Sequence, residues 1–314
     1  MKILQPCRNL LNVVIVVAMM VIGCGKGGLH DRPSGSIVAW GWDSDGQVSQ
    51  IPEGNDFVEV SVGNRHSLAL RKDGTIVSWG RDSGGQVSNT PDGNDFVTIS
   101  AGHDFSSALR ADGTVETWGW DDEKLGRTRF HATDIVAISA GFNFIIALRE
   151  IGSIVAIGGD FDGRLPNMQV REAPMGDGFV AISAGRTHSL AMREDGTVVA
   201  WGNDLRGSVN DTPLENGFTA VAAGARHSLA LCGDGTIAAW GWNLSGELDD
   251  TPATSGFRQL AVGYTHSIAL HENGTIFAWG LDRSGHGQRV DTPTDSGYIF
   301  IDAGDYHNLA IKEQ

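Results

Sequence analysis

Cysteine, proline and positive charge are scarce in this chain of 314 residues. The three Cys stand at 7, 24 and 232. Two of them lie in or at the end of an apolar N-terminal stretch, so no disulfide framework can be drawn and stability has to come from a packed core. Charged residues are only 19%, which excludes a coiled coil or a long charged helix. Lys and Arg number 23 against 38 Asp and Glu, a formal net charge of −15. A surface of that sign repels phosphate backbones, and no nucleic-acid partner is expected. Proline occurs nine times against 43 glycines, and glycine is thus about twice its usual share of roughly 7%. With 41% apolar residues the chain has the material for a core and does not read as disordered.

The N-terminus reads as an address. Residues 1–9 carry Lys2 and Arg8 and no acid, and residues 10–23 are apolar except for Asn12. That run has the length of a signal-peptide core and is short for a membrane span, which needs roughly 20 residues. Residues 1–23 are therefore expected to be an export signal, 24–35 a flexible tether and 36–314 the folded domain. Val21-Ile22-Gly23-Cys24 resembles a bacterial lipobox. The resemblance implies a lipid on Cys24, an envelope lipoprotein, and no other contact with a membrane. Plain secretion or an uncleaved anchor is the alternative.

The rest of the chain is one unit repeated. Trp-Gly pairs begin at Trp40, Trp79, Trp118, Trp201, Trp240 and Trp279, with Ile157-Gly158 as a degenerate copy. A second anchor, small-Gly-x-x-[His/Phe], places glycines at 63, 102, 141, 185, 224, 263 and 304. Both anchors count seven units of about 39 residues, with one shared insertion. Within a unit, Phe57–Val62 alternates apolar and polar residues, the period of a half-buried strand. His66–Arg71 and the stretch ending at Trp79-Gly80 are two further strand-like runs, joined through Asp73-Gly74, a hairpin signal. The Gln47–Ser49 type of segment reads as a weak fourth strand. Repeats of this length and content predict an all-β, seven-bladed β-propeller. The chain starts with the second half of a unit at Ser36 and ends with the first half at Lys312. N- and C-terminal strands are thus expected to share one blade and close the ring, leaving no long open edge.

Several constellations invite a chemical reading and favour a structural one. A His follows the second anchor at 66, 188, 227, 266 and 307, replaced by Phe105 and Phe144 in two units. One His per blade is spread around a ring and does not converge on a metal, and replacement by Phe suits packing. An Asp or Asn three residues after each Trp position (Asp43, Asp82, Asp121, Asp160, Asp204, Asn243, Asp282) suits a turn cap. Gly80-Arg-Asp-Ser-Gly-Gly85 only approximates a serine-protease string. Cys232 reads as an exposed strand-end residue of no catalytic use. No metalloprotease helix, nucleophile elbow or phosphate loop is present. No catalytic residue, metal or cofactor is expected.

The string Ala184-Gly-Arg-Thr-His-Ser-Leu-Ala-Met-Arg-Glu-Asp-Gly-Thr-Val-Val-Ala-Trp-Gly202 resembles the regulator of chromosome condensation (RCC1) repeat. The resemblance extends over residues 36–314. It implies the seven-bladed propeller and, less specifically, a binding role. The founding eukaryotic member is a nuclear exchange factor for a small GTPase and binds chromatin. The export signal, acidic balance and short unit here are more similar to secreted or lipoprotein bacterial members, among them the propeller-type β-lactamase inhibitor proteins.

Strand alternation places two variable loop sets on one propeller face: the residue after Trp-Gly, and the residues after the small-Gly anchor. Trp42, Arg81, Trp120, Phe142, Phe161, Trp242, Tyr264 and Tyr306 are the candidate partner-binding residues, because aromatics with scattered Arg form binding hot spots. The expected function is an exported, monomeric, non-enzymatic scaffold for an unidentified protein partner. A sharper form is an inhibitor of a cell-envelope enzyme. A carbohydrate-binding or hydrolytic propeller is the alternative, and an intracellular exchange factor is disfavoured by the leader and the charge.

Overall fold

The computed structural model describes residues 28–119, 129–158, 168–282 and 285–314. The expected signal 1–23 and Cys24 lie outside them. In blade one the inner strand Phe57–Val62, middle strand His66–Arg71 and outer strand Ile76–Gly80 form an antiparallel sheet. The inner strand is buried along its whole length rather than on one face. Its alternation survives as a choice of neighbour. Phe57, Val60 and Val62 pack with Ile37, Leu309 and Ile311 of blade seven, whereas Val58, Leu68 and Leu70 pack with Phe96, Ile99 and Trp118 of blade two. The core is thus a set of layers between blades, and each fully buried Leu contributes about 1.5–3 kcal/mol.

The pattern repeats around the ring. Blade two has Phe96–Ala101, Phe105–Arg110 and Thr114–Gly119, blade three Ile135–Ala140, Phe144–Arg149 and Ile154–Gly158. Blade four has Phe179–Ala184, His188–Arg193 and Val198–Gly202, blade five Phe218–Ala223, His227–Cys232 and Ile237–Gly241. Blade six has Phe257–Val262, His266–His271 and Ile276–Gly280. Blade seven joins Tyr298–Ala303 and His307–Lys312 to the N-terminal strand Ser36–Gly41. Ser36 pairs with Lys312 and Gly41 with His307, which closes the ring as expected.

A fourth strand is found in blade two alone among the described residues, at Arg129–His131. The Gln47–Ser49 segment is a turn instead. Its backbone is taken by the next blade: Trp79 Nε1 donates to the Gln47 carbonyl at 3.0 Å, and Trp118 to Gln86 in the same way at 2.9 Å. Trp201 and Trp240 clasp the carbonyls of Gln169 and Ser208. These indoles are core residues, and their N–H is satisfied by a loop rather than by a sheet.

The expected tether is partly docked. Leu29–Asp31 forms a 3-10 turn, Leu29 packs on the layer between blades one and two, and Arg32 pairs with buried Glu59 at 3.3 Å. The propeller's contacts therefore begin before the expected boundary at 36. Cys232, expected at the surface, is only 4% exposed and is disulfide-bonded.

The second anchor proves to be the inter-blade seam. A Cβ on Gly304 would lie 2.1 Å from the Gly63 carbonyl, and one on Gly63 would lie 2.6 Å from that of Gly102. Such distances leave room for glycine alone. The His that follows reaches the hydroxyl of the next blade. His66 Nε2 meets Ser106 Oγ at 3.0 Å, His188 meets Ser228 at 2.7 Å, His227 meets Ser267 at 2.8 Å and His307 meets Ser67 at 2.8 Å. His266 meets Asn308 Oδ1 at 2.7 Å. Burial pushes the imidazoles of His66 and His188 down to about 4 and of His227 and His307 to about 3, and lowers His266 too, so all five are neutral at pH 7. Where Phe replaces His, Phe105 packs on Ile145, which stands in the Ser position. Phe144 instead leaves the buried Ser189 hydroxyl without a partner among the described residues.

Candidate functional site

In the five blades where both are described, the loop after the outer strand is tied to the loop before the middle strand of the same blade. Trp42 N–H donates to the Tyr306 carbonyl at 2.9 Å, Arg81 to Arg65 at 2.8 Å, and Trp242 to Arg226 at 3.1 Å. The two variable loop sets therefore share one face, as alternation predicted. The conserved geometry beneath them comes from the turn caps. Asp43 Oδ1 accepts the amides of Val48 and Ser49, Asp82 those of Val87 and Ser88, and Asp204 those of Val209 and Asn210. Asn243 Oδ1 accepts the Leu248 amide. These side chains hold loops, the role expected of them; Asp282 departs from it, its Oδ1 buried without a hydrogen-bond partner among the described residues, and Asp121 and Asp160 lie outside the described residues.

On that frame the aromatics meet across blades. Trp42 stands edge-on to Tyr306 with ring centres 5.3 Å apart, and Tyr306 stacks on Tyr264 at 6.0 Å. Arg226 bridges Tyr264 at 5.5 Å and Trp242 at 4.8 Å. Arg186 bridges Tyr264 at 5.4 Å and Phe142 at 4.1 Å. Each such cation–ring contact contributes about 0.5–1 kcal/mol where water still reaches it. Trp42, Phe142, Trp242, Tyr264 and Tyr306 are all half-buried. The result is one belt from blade seven through blade three. Arg81 is on the same face but beside the belt, its Nε donating to Ser83 Oγ at 2.7 Å. Ser83 is thereby a hydrogen-bond partner within the ordinary blade loop. Trp120 and Phe161 lie outside the described residues.

Beside the bridging Arg186 and Arg226, the belt takes in four residues that the sequence pattern did not point to. His286 stacks on Trp42 at 5.0 Å and 7°. Arg206 lies 4.9 Å from the Trp242 ring. His103 packs on Phe142 at 4.2 Å and contacts Asp305 at 3.5 Å, which also pairs with Arg186 at 3.4 Å. His103 and Asp305 directly follow an anchor glycine, so their signal was one position from residues already chosen. Arg206 and His286 sit in loops read only as Asx turns and fourth strands.

The belt rims a channel. The inner-strand ends enclose a cavity of about 230 Å³ whose mouth carries Asn64, His103, Phe142, Arg186 and Asp305. Burial would raise the Asp104 carboxyl, but the hydrogen bond from His103 and the nearby charges of His103 and Arg81 bring it below the usual carboxylate range. Burial raises Asp302, in the channel wall, to about 7 against the hydrogen bonds that it accepts from Val62 and Ala303 amides and from Ser61. Among the described residues no group of three metal-ligating side chains converges, and no helix is long and apolar enough to cross a membrane. The arrangement offers flat rings, guanidinium groups and a polar channel mouth, the chemistry of recognition.

The repeat described as the regulator of chromosome condensation (RCC1) repeat matches residues 57–86, 179–208, 218–247 and 257–288. The fold is similar to that of Prp20p from Saccharomyces cerevisiae, at 20% identity and a TM-score of 0.72, over 91% of this chain and 94% of that one. It is also similar to human WBSCR16, at 15% identity and a TM-score of 0.69, over 90% of this chain and 100% of that one. The ectodomain of the receptor kinase CR4 from Physcomitrella patens aligns at 22% identity and a TM-score of 0.66, over 82% of this chain and 70% of that one. No curated protein matches the sequence.

Proposed function

We propose that this chain, four of whose units match the RCC1 repeat, is a non-enzymatic protein-binding scaffold whose partner sits on the loop face. The observation that carries this is the belt from Trp42 through Tyr306 and Tyr264 to Trp242 and Phe142, which crosses blade boundaries and has no second copy among the described residues. Half-buried aromatics and Arg on a rigid frame are the residues that dominate binding energies. A broad belt suits a protein surface better than a single sugar pocket. Yeast Prp20p, similar in fold, is itself a protein whose binding to Gsp1p and histones has been described. The apolar run 10–23 and the lipobox-like tetrad ending at Cys24 support an exported scaffold held at the cell envelope. Inhibition of an envelope enzyme is the sharper form of the same role.

The test is capture from an envelope extract with the full chain as bait and a Trp42→Ala, Trp242→Ala, Tyr306→Ala variant beside it. A protein retained by the first and lost by the second is the expected result. A protein retained equally by both would move binding off this face.

A further inference from the structure

We infer that the sector around Trp242 receives an acidic segment of the partner protein, with carboxylates on Arg206 and Arg226 and an apolar side chain against Trp242 and Leu244. The inference rests on the reading of the loop face as the binding face. Two guanidinium groups lie against one indole there, Arg206 at 4.9 Å and Arg226 at 4.8 Å. Elsewhere on this face Arg65 faces Asp45 at 3.7 Å and Arg186 faces Asp305 at 3.4 Å, and Arg81 is engaged by the Ser83 hydroxyl at 2.7 Å. Among the described residues neither Arg206 nor Arg226 has a carboxylate within 4.0 Å. The Arg226 Nε is also buried without a hydrogen-bond partner. In a chain of net charge −15, two adjacent cations without counter-charge are a specific departure.

The local backbone reinforces it. Arg206 has φ +56°, the one left-handed non-glycine among the described residues, while the equivalent Asp45, Gly84 and Ser245 avoid that region. The unfavourable backbone keeps an exposed guanidinium over Trp242. Leu244, 63% exposed, continues the apolar surface of the same loop. A guanidinium binds a carboxylate through two parallel hydrogen bonds, and the neighbouring indole excludes part of the competing water. Discrete carboxylates fit two discrete cations. A continuous phosphate or sulfate chain would also meet the acids of Asp43, Asp45, Asp82 and Asp204, which line the same loops and repel it.

The experiment selects peptides from a random display library on the full chain and measures each by fluorescence anisotropy. The expected pool is rich in Asp and Glu beside Leu or aromatic residues. Its binding should weaken roughly ten-fold or more in Arg206→Glu with Arg226→Gln, and measurably in Arg206→Ala alone, whose exposed side chain can be removed without disturbing the fold. Absence of binders, a neutral or basic pool, acidic peptides indifferent to the Arg changes, or tighter binding of a single-stranded oligonucleotide or sulfated oligosaccharide at this sector would each overturn the inference. Binding lost in Trp42→Ala with Tyr306→Ala but kept in the Arg variants removes the acidic segment and keeps the binding face. Indifference to both sets removes the two together.

Discussion

The two faces of the propeller use the same residue types to opposite ends. On the hairpin face of blades one, two and four an Arg at the end of the middle strand covers the first Phe of the inner strand of its own blade: Arg71 over Phe57 at 4.4 Å, Arg110 over Phe96 at 4.0 Å, Arg193 over Phe179 at 4.3 Å. Asp56 and Asp95 neutralise the first two, and Lys312, Tyr298 and Asp295 repeat the clasp in blade seven. On the loop face contacts within a blade are joined by contacts between blades, Arg226 to Tyr264 and Arg186 to Phe142 among them, and among the described residues Arg206 and Arg226 have no carboxylate within 4.0 Å. A contact that recurs with the repeat holds the blade. A contact that departs from it has been freed for another purpose. The comparison separates structural from functional arginines without any reference to a ligand.

It can be broken first at two tryptophans two residues apart. Trp240 is 3% exposed and clasps Ser208, so Trp240→Ala should cost about 3–5 kcal/mol in a denaturant titration. Trp242→Ala, on the half-buried belt, should cost no more than about 1–2 kcal/mol, the worth of its two cation–ring contacts, while weakening the partner. Similar losses from both would make the belt part of the core and erase the contrast between faces.

Acid sharpens the comparison at the seams. The unfolded chain protonates each seam His near 6.5, whereas the folded chain resists until about 4 at His66 and His188 and about 3 at His227 and His307, and His266 is lowered in the same direction. The unfolded state therefore binds more protons in that window, and stability should fall steadily as pH drops from 6.5 to about 3. Asp302 acts in the opposite sense, since its folded carboxyl holds a proton up to about 7, and buried Glu59 is shifted in the same direction. Five imidazoles oppose these two carboxyls, so the net expected slope is loss in acid, measured as the melting temperature against pH. His227→Phe with Ser267→Ala should flatten that slope. An unchanged slope would remove the seam histidines from the account.

The smallest effect concerns the seam that breaks the pattern. Ser189 is buried opposite Phe144 with its hydroxyl unpaired among the described residues. Ser189→Ala should stabilise the fold by about 1 kcal/mol, whereas Ser228→Ala, which removes the partner of His188, should destabilise it by a similar amount. Thermal melts of the two variants moving in the same direction would sink this reading of the seams.

The candidate face was legible in part. Trp42, Phe142, Trp242, Tyr264 and Tyr306 could be chosen because variation stands out against a constant repeat, and alternation alone put their loops on one side. Arg206 and His286 could not be chosen, because their place depends on which neighbouring blade's ring they reach. The buried Cys232 and the docked Leu29 and Arg32 were missed for a related reason: their burial comes from segments distant in sequence.

The amino-acid sequence by itself determined the repeat, the blade count and the closure of the ring, because each is written in local spacing: two anchors per unit, a hairpin signal between strands, and complementary half-blades at the ends. It also determined which positions vary. Only the tertiary structure decided what the anchors do and which variable residues meet. The glycine of each seam has meaning only against the carbonyl of the next blade, the histidine only against that blade's polar side chain, and Arg206 and Arg226 only against the Trp242 ring that both reach. Those contacts form when separate blades are brought within a few Å, a distance that no local pattern records.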